Sequence, residues 1–272
     1  MQLIDTHAHV CFDAYDDDRD EMMARAFQNG VQKIVHPCCN LLEAQELLDF
    51  SAKYDGNSKT NVFCSIGVHP TEFKTWNESS EEFMEKFLQT NFVNNPNSKI
   101  KAIGETGLDF YHCTTEEEHQ IQKNIFEKQI LIAKKYNLPL IVHTRDAWEE
   151  TLKILKRHFH DSGITHPGTI HCFTGDLNFA QECIDLGFCI SWGGVLTYKK
   201  NEHFRAMAGK LDINKILLET DSPYLSPQAF RGKRNEPGFV SCVAEELAKC
   251  YAVSLEEIAS ISTQNAERLF GI

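Results

Sequence analysis

His7 and His9 stand one residue apart in the opening stretch MQLIDTHAHV, at the far end of a short apolar run. Alternate residues of an extended chain share a face, so both imidazoles point the same way. Two imidazoles side by side are a natural pair of metal ligands, although an ordinary hydrogen-bonded histidine pair would be spelled identically. Histidines and carboxylates recur at the ends of later apolar runs: His69 in SIGVHP, Glu105 and Asp109 in AIGETGLD, and His143 with Arg145 in LIVHTR. His171 follows in GTIHCF, then Glu219 and Asp221 in ILLETDSPYL. Charged groups seldom sit in apolar strands without partners, so the recurrence points to one shared polar site.

Eight such runs can be read along the chain: Leu3–His7, Val31–His36, Val62–Gly67, Ile100–Gly104, Pro139–His143, Gly168–His171, Phe188–Ser191 and Ile216–Glu219. Longer segments of helical periodicity lie between them. The clearest runs from Thr115 to Tyr136, with Ile121, Ile125, Ile130 and Ala133 as its apolar stripe and Thr115 with Glu118 as a capping box. A final helix spans Ser254 to Phe270, capped by Ser254 and Glu257. Strands separated by helices must pair in parallel through crossovers, and eight of them favour a closed (β/α)8 TIM barrel. The α/β class follows, as a single domain over 1–272, a length that suits one such barrel. The Asn-, Gly- and Ser-rich stretches Asn91–Ser98 and Tyr54–Asn61 read as loops too short to divide domains. A barrel of this kind carries its chemistry at the carboxyl ends of its strands, which is where the histidines and carboxylates fall.

Composition narrows the classes. With 42% apolar and 24% charged residues the chain has an ordinary globular composition with enough apolar matter for a large core. No apolar run is long enough to span a bilayer, and the start lacks the pattern of a signal peptide, so a cytoplasmic protein with no membrane association is expected. Its ten cysteines include no C-x-x-C pair, and they read as buried thiols rather than disulfides; Cys172, beside His171, is a weak candidate nucleophile. The net charge of −12 does not advertise a nucleic-acid binder, yet Arg231, Lys233 and Arg234 cluster in FRGKRNEP, leaving room for a basic rim on an acidic body.

Seven ordered blocks, IDTHAHV, GVHP, IGETGLDFY, IVHTRDA, HCFTG, LLETDSPYL and RGKRNEP, resemble the successive signatures of the TatD family of metal-dependent hydrolases, amidohydrolase-like TIM barrels, over essentially the whole chain. The resemblance implies a site for two divalent cations. His7 and His9 would hold one with Asp221, His143 and His171 the other, and Glu105 would bridge them. Magnesium, zinc or manganese are the cofactors implied, and so many imidazoles suit zinc, manganese or iron better than magnesium. The implied activity is a deoxyribonuclease working on DNA ends or single strands in the 3′ to 5′ direction. Hydroxide formed from cation-bound water would attack phosphorus, with Asp221 taking the proton and Glu105 the other catalytic residue. His69, Arg145 and Arg234 would contact substrate; the alternative for the arginines is ion pairing, with Glu219 or Glu236 for example. Asp109 would orient a ligating histidine. Phe110, Tyr111, Phe173, Trp192 and Tyr224 would stack on bases or simply pack the barrel. One departure stands out: after GLDFY the family usually carries a basic residue, where this chain has His112 and Cys113. Hydrolysis of a small amide or ester at the same metals is the second reading, and a non-catalytic binding scaffold the third. A monomer is the default.

Overall fold

The structure, a computed structural model, describes residues 1–56 and 59–272. Among them eight parallel strands run in sequential order: β1 (Leu3–Asp5), β2 (Val31–His36), β3 (Asn61–Ile66), β4 (Ile100–Asp109), β5 (Leu140–Arg145), β6 (Gly168–Ile170), β7 (Cys189–Trp192) and β8 (Ile216–Leu218). Helices α1 (Arg19–Gln28), α2 (Ala44–Lys53), α3 (Ser80–Leu88), α4 (Glu116–Tyr136), α5 (Trp148–Phe159), α6 (Leu177–Asp185) and α7 (Glu202–Ala208) fill the successive crossovers. After β8 come α8 (Val240–Tyr251) and α9 (Leu255–Phe270). The expected (β/α)8 barrel is therefore present. Its seam lies between β8 and β1, where Thr6 N–H donates to the Leu218 carbonyl and Ala8 forms a parallel bridge with Ser222.

Alternation along the strands sorts their side chains into two sets. Leu3, Ile34, Ile103, Leu140, Val142, Ile190, Ile216 and Leu218 join the main apolar cluster under the helices. Their neighbours Ile4, Val35, Ala102, Ile141, Cys189 and Leu217 instead pack with Ala266, Leu269 and Phe270 of α9, which stoppers one end of the barrel. Two residues further along, on the same inward face, stand Thr6, His143, Ser191 and Glu219. The interior thus turns from apolar to polar within one repeat of the strand.

Helix α4 carries the expected capping box, with Thr115 accepting from the Glu118 N–H and Glu118 reaching back to the Thr115 N–H. Its expected apolar stripe needs one correction. Ile121 is exposed, whereas Gln122 and Gln129 are buried. Both glutamines are used as backbone partners for the loops that carry the site. Gln122 Oε1 accepts from Asp109 N–H, and Gln129 Oε1 from Val68 N–H. The segment Asn91–Ser98 begins inside a helical turn, Gln89–Val93, and part of Tyr54–Asn61 lies outside the described residues.

Strand β4 is longer than its sequence suggests. The sequence marks the run as Ile100–Gly104, but the strand runs on to Asp109. Gly107 has φ 137°, and a Cβ there would sit 2.0 Å from the His143 carbonyl oxygen. The missing side chain lets β4 press against β5, which sets Glu105 and His143 side by side.

Candidate metal centre

Glu105 points from β4 into the polar end of the barrel and is almost wholly buried. Its two oxygens face different imidazoles. Oε2 is 3.2 Å from His7 Nε2. Oε1 is 2.9 Å from His171 Nε2, 3.0 Å from His143 Nδ1 and 3.3 Å from His69 Nε2. Asp221 Oδ1 completes the group, 3.5 Å from His9 Nε2 and 3.7 Å from His7 Nε2.

The seam of the barrel fixes the first and last of these residues. His9 N–H donates to the Ser222 carbonyl and Asp221 N–H to that of His7. Behind them, the buried Asp5 carboxylate accepts from the His7 N–H and from the N–H and hydroxyl of Thr220. His69 caps a short helical turn, with Thr71 holding its Nδ1 and leaving Nε2 aimed at Glu105. Asp109 Oδ2 lies 3.2 Å from His143 Nε2 and 2.8 Å from His112 Nδ1, so His112 buttresses Asp109. Glu219 Oε1 stands 3.4 Å from His171 Nδ1 and accepts from the Cys172 N–H at 2.7 Å. The sequence marked Glu219 only as a strand-end carboxylate and a partner for arginine; it is fully buried behind His171 instead.

Burial opposes charge on Glu105, Asp221, His7, His69, His143 and His171. Around Glu105 the surrounding His171, His69 and His7 outweigh it and hold the carboxyl well below the usual range. Asp221 is likewise held low against its burial by His9, His7 and His171. Against the same burial, Glu105 and Glu219 push His171 well up, and Asp109 and Glu105 raise His143. Burial prevails at His7 and His69, which are pushed down.

Three sets of potential ligand atoms lie within 4.8 Å of one another: His7, His9 and Glu105; His7, His171 and Asp221; His69, Glu105 and His143. Both ring nitrogens of His7 are buried without a hydrogen-bond partner, as is His171 Nδ1. Polar atoms so placed lose their hydration without return, and a cation held on the one lone pair of the His7 ring would offset part of that cost. Ligands held about 2.1 Å from a cation lie roughly 3 Å apart, which is the spacing found around Glu105. The donor set, imidazoles with two carboxylates, fits a divalent transition metal or zinc.

The group opens into a cavity of about 390 Å³ lined by His9, Glu105, His143, His171 and Asp221, with Glu43, Glu72 and Tyr224 at its rim. Arg145 is exposed outside this lining, its guanidinium 4.0 Å above the Tyr111 ring, and no carboxylate among the described residues pairs with it. Arg234 is placed differently from expectation. It is bound to Asp18 and the Ala14 carbonyl, away from the cavity, while Glu236 pairs with Arg25. Of the aromatics, Phe173 and Trp192 are fully buried packing residues, whereas Tyr111 and Tyr224 are half exposed. The Cys172 thiol is pushed well above the usual range by burial and by Asp221, Glu219 and Glu105, which is poor preparation for a nucleophile.

An eight-stranded α/β barrel gathering imidazoles and carboxylates at its strand ends is the architecture of a metal-dependent hydrolase. The family described as TatD related DNase matches residues 4–271, and the chain belongs to it. It is similar to the uncharacterized metal-dependent hydrolase YabD of Bacillus subtilis (strain 168), 36% identical over 99% of both chains. A similar likeness, also 36%, covers all of this chain and 97% of the uncharacterized metal-dependent hydrolase YcfH of Escherichia coli (strain K12). The crystal structure of YjjV, a TatD homolog from Escherichia coli K12, superposes with a TM-score of 0.88 at 29% identity, covering 99% of this chain and 98% of that one.

Proposed function

We propose that this hydrolase is a deoxyribonuclease that cleaves DNA phosphodiester bonds from the 3′ end with two divalent cations. His7, His9 and Asp221 would hold one, His143 and His171 the other, and Glu105 both. The observation that carries this reading is the division of Glu105, with one oxygen turned to His7 and the other to His143 and His171. A carboxylate so divided suits two centres rather than one. The family's description supports DNA as the substrate class.

Bound cations would supply an activated water and neutralise charge on the phosphate oxygens. The chain's own residues do the rest. Asp109 holds a proton on His143 Nε2, so the Nδ1 lone pair is presented beside Glu105. Glu219 faces His171 Nδ1 at 3.4 Å from behind, leaving Nε2 turned towards Glu105. Asp221, kept ionised by His9 and His7, is placed at the cavity wall to accept the proton of the attacking water on its carboxylate. Arg145, lying over Tyr111 and without a carboxylate partner among the described residues, would meet a phosphate at the rim.

The test is digestion of end-labelled DNA oligonucleotides by protein stripped with chelator and reloaded with magnesium, manganese or zinc. Stepwise shortening from the 3′ end, lost in Asp221→Asn, is the expected result. Turnover of cyclic amides or carboxylic esters without any cleavage of DNA would overturn the reading in favour of a small-molecule hydrolase.

A further inference from the structure

The mouth of the cavity is electrically lopsided. On the side of β2 and β3 its rim carries Glu43 and Glu72, neither with a cationic partner among the described residues. The loops after β7 and β8, at the same carboxyl end of the barrel, carry Lys199, Lys200, Arg231 and Lys233, all exposed. None of these four pairs with a carboxylate among the described residues, in a chain whose net charge is −12 and where Arg19, Arg25, Arg157, Arg205 and Arg234 are all engaged. The two loops form one surface. Lys199 N–H donates to Gln228 Oε1, Gln228 N–H donates to Thr197 Oγ1, and the Arg231 guanidinium lies 4.5 Å above the Tyr198 ring. Ser226 Oγ donates to the Lys233 carbonyl, fixing the backbone of that loop. The same loop begins with Asp221 at the metal centre and continues through the half-exposed Tyr224 on the cavity wall.

We infer that Lys199, Lys200, Arg231 and Lys233 form a phosphate track that holds the single-stranded DNA backbone leaving the cavity over the β7–β8 loops, so that the enzyme prefers a polynucleotide to a short diester. This rests on the nuclease reading and adds where the uncleaved strand lies. Unpaired cations at the carboxyl end of the barrel gain affinity by releasing the counterions of several phosphates, whereas Glu43 and Glu72 repel the same chain. Together they give the strand one exit. Tyr224, an exposed aromatic between the metal centre and the cations, offers a face for the first base beyond the scissile bond.

The experiment compares metal-loaded wild type with K199A/K200A/R231A/K233A on a twelve-residue oligothymidylate and on thymidine 5′-p-nitrophenyl phosphate. A control variant, K101A/K134A, removes positive charge away from the mouth, at the start of β4 and the end of α4. The expected result is a fall of about tenfold or more in kcat/KM on the oligonucleotide at low salt, with a salt dependence shallower by about two to three units in log–log slope. Turnover of the short ester stays within about twofold, and the control variant behaves as wild type on both. Equal activity of wild type and the four-site variant on the oligonucleotide, or an equal loss in the control, overturns the track. Should wild type cleave neither diester, the nuclease reading fails by itself. Fluorescence anisotropy of the labelled oligonucleotide then decides the track separately: salt-sensitive binding weakened only in the four-site variant upholds it, and absent or unchanged binding overturns it.

Discussion

The two ends of the barrel interior are built on the same strands and differ by one step of the pleat. Ile4, Ile141, Cys189 and Leu217 meet Leu269 and Phe270 of α9, whereas Thr6, His143, Ser191 and Glu219, each two residues later, belong to the polar end. At the α9 end, burial alone is favourable and the side chains need only fit. At the other, His7 is equally buried but both its nitrogens lack partners, and Glu105 is surrounded by imidazoles. One end stabilises the fold; the other is a buried polar cluster whose lost hydration a cation would offset. Stability and chemistry should therefore separate under mutation.

The largest separation is expected at Glu105. Glu105→Gln should lower metal-dependent hydrolysis by on the order of 10³-fold or more and reduce bound metal, measured by elemental analysis, because one carboxylate serves both groups of imidazoles. Its thermal midpoint without metal should fall little, since the buried imidazoles that Glu105 holds towards the charged form can give up their protons once it is neutral. Unfolding of that variant at low temperature would erase the distinction between the two ends.

At the α9 end the pattern reverses. Ile141→Ala or Leu217→Ala should destabilise by about 2–5 kcal/mol in urea titrations while kcat per folded molecule stays within about twofold. A large loss of turnover in a folded Leu217→Ala protein would mean that the apolar layer sets the geometry above it.

A finer cut comes at Asp109, which touches His143 without lining the cavity. Asp109→Asn should weaken metal binding or turnover by about 10–100-fold, less than the loss at Glu105. Rescue by raised metal concentration would mark it as a positioning residue.

The smallest effect belongs outside both ends. Arg234 and Arg25 lower the Asp18 carboxyl from 3.8 to about 2. The folded value lies below the unfolded one, so the stabilisation is present above about pH 4 and fades as pH falls towards 2. Asp18 is about a third exposed, so solvent screening limits the contribution to about 1 kcal/mol or less. Asp18→Asn should show that deficit at pH 7 in urea titrations, and the difference from wild type should vanish near pH 2.

Much of this contrast is readable from the sequence because period-two alternation and strand-end histidines are local signals. The barrel, its strand order and the position of His7, His9, Glu105, His143, His171 and Asp221 at strand ends all follow from them. What escapes is long-range. The apolar run stops at the first glycine of GETG, yet Gly104 and Gly107 are glycine because β5 presses against them, so β4 continues through Glu105 to Asp109. Nothing near Arg234 announces Asp18 as its partner, on the far side of the sequence. Ile121 fits the helical period but faces solvent, while Gln122 and Gln129 turn inward because loop backbones need partners there. Glu219 stands beside Asp221 in the chain, but only the packed structure shows it behind His171.

The closure between the first and last strands has a further meaning. Asp5 and Thr220 meet across 215 residues of sequence, and His7, His9 and Asp221 are brought together by that same join. A chain halted or clipped before β8 would lack Asp221 and the strand that seals the barrel against β1. Capture of an ion by His7, His9 and Asp221 together would consequently mark completed assembly, because those three meet only after the two termini of the barrel have found each other.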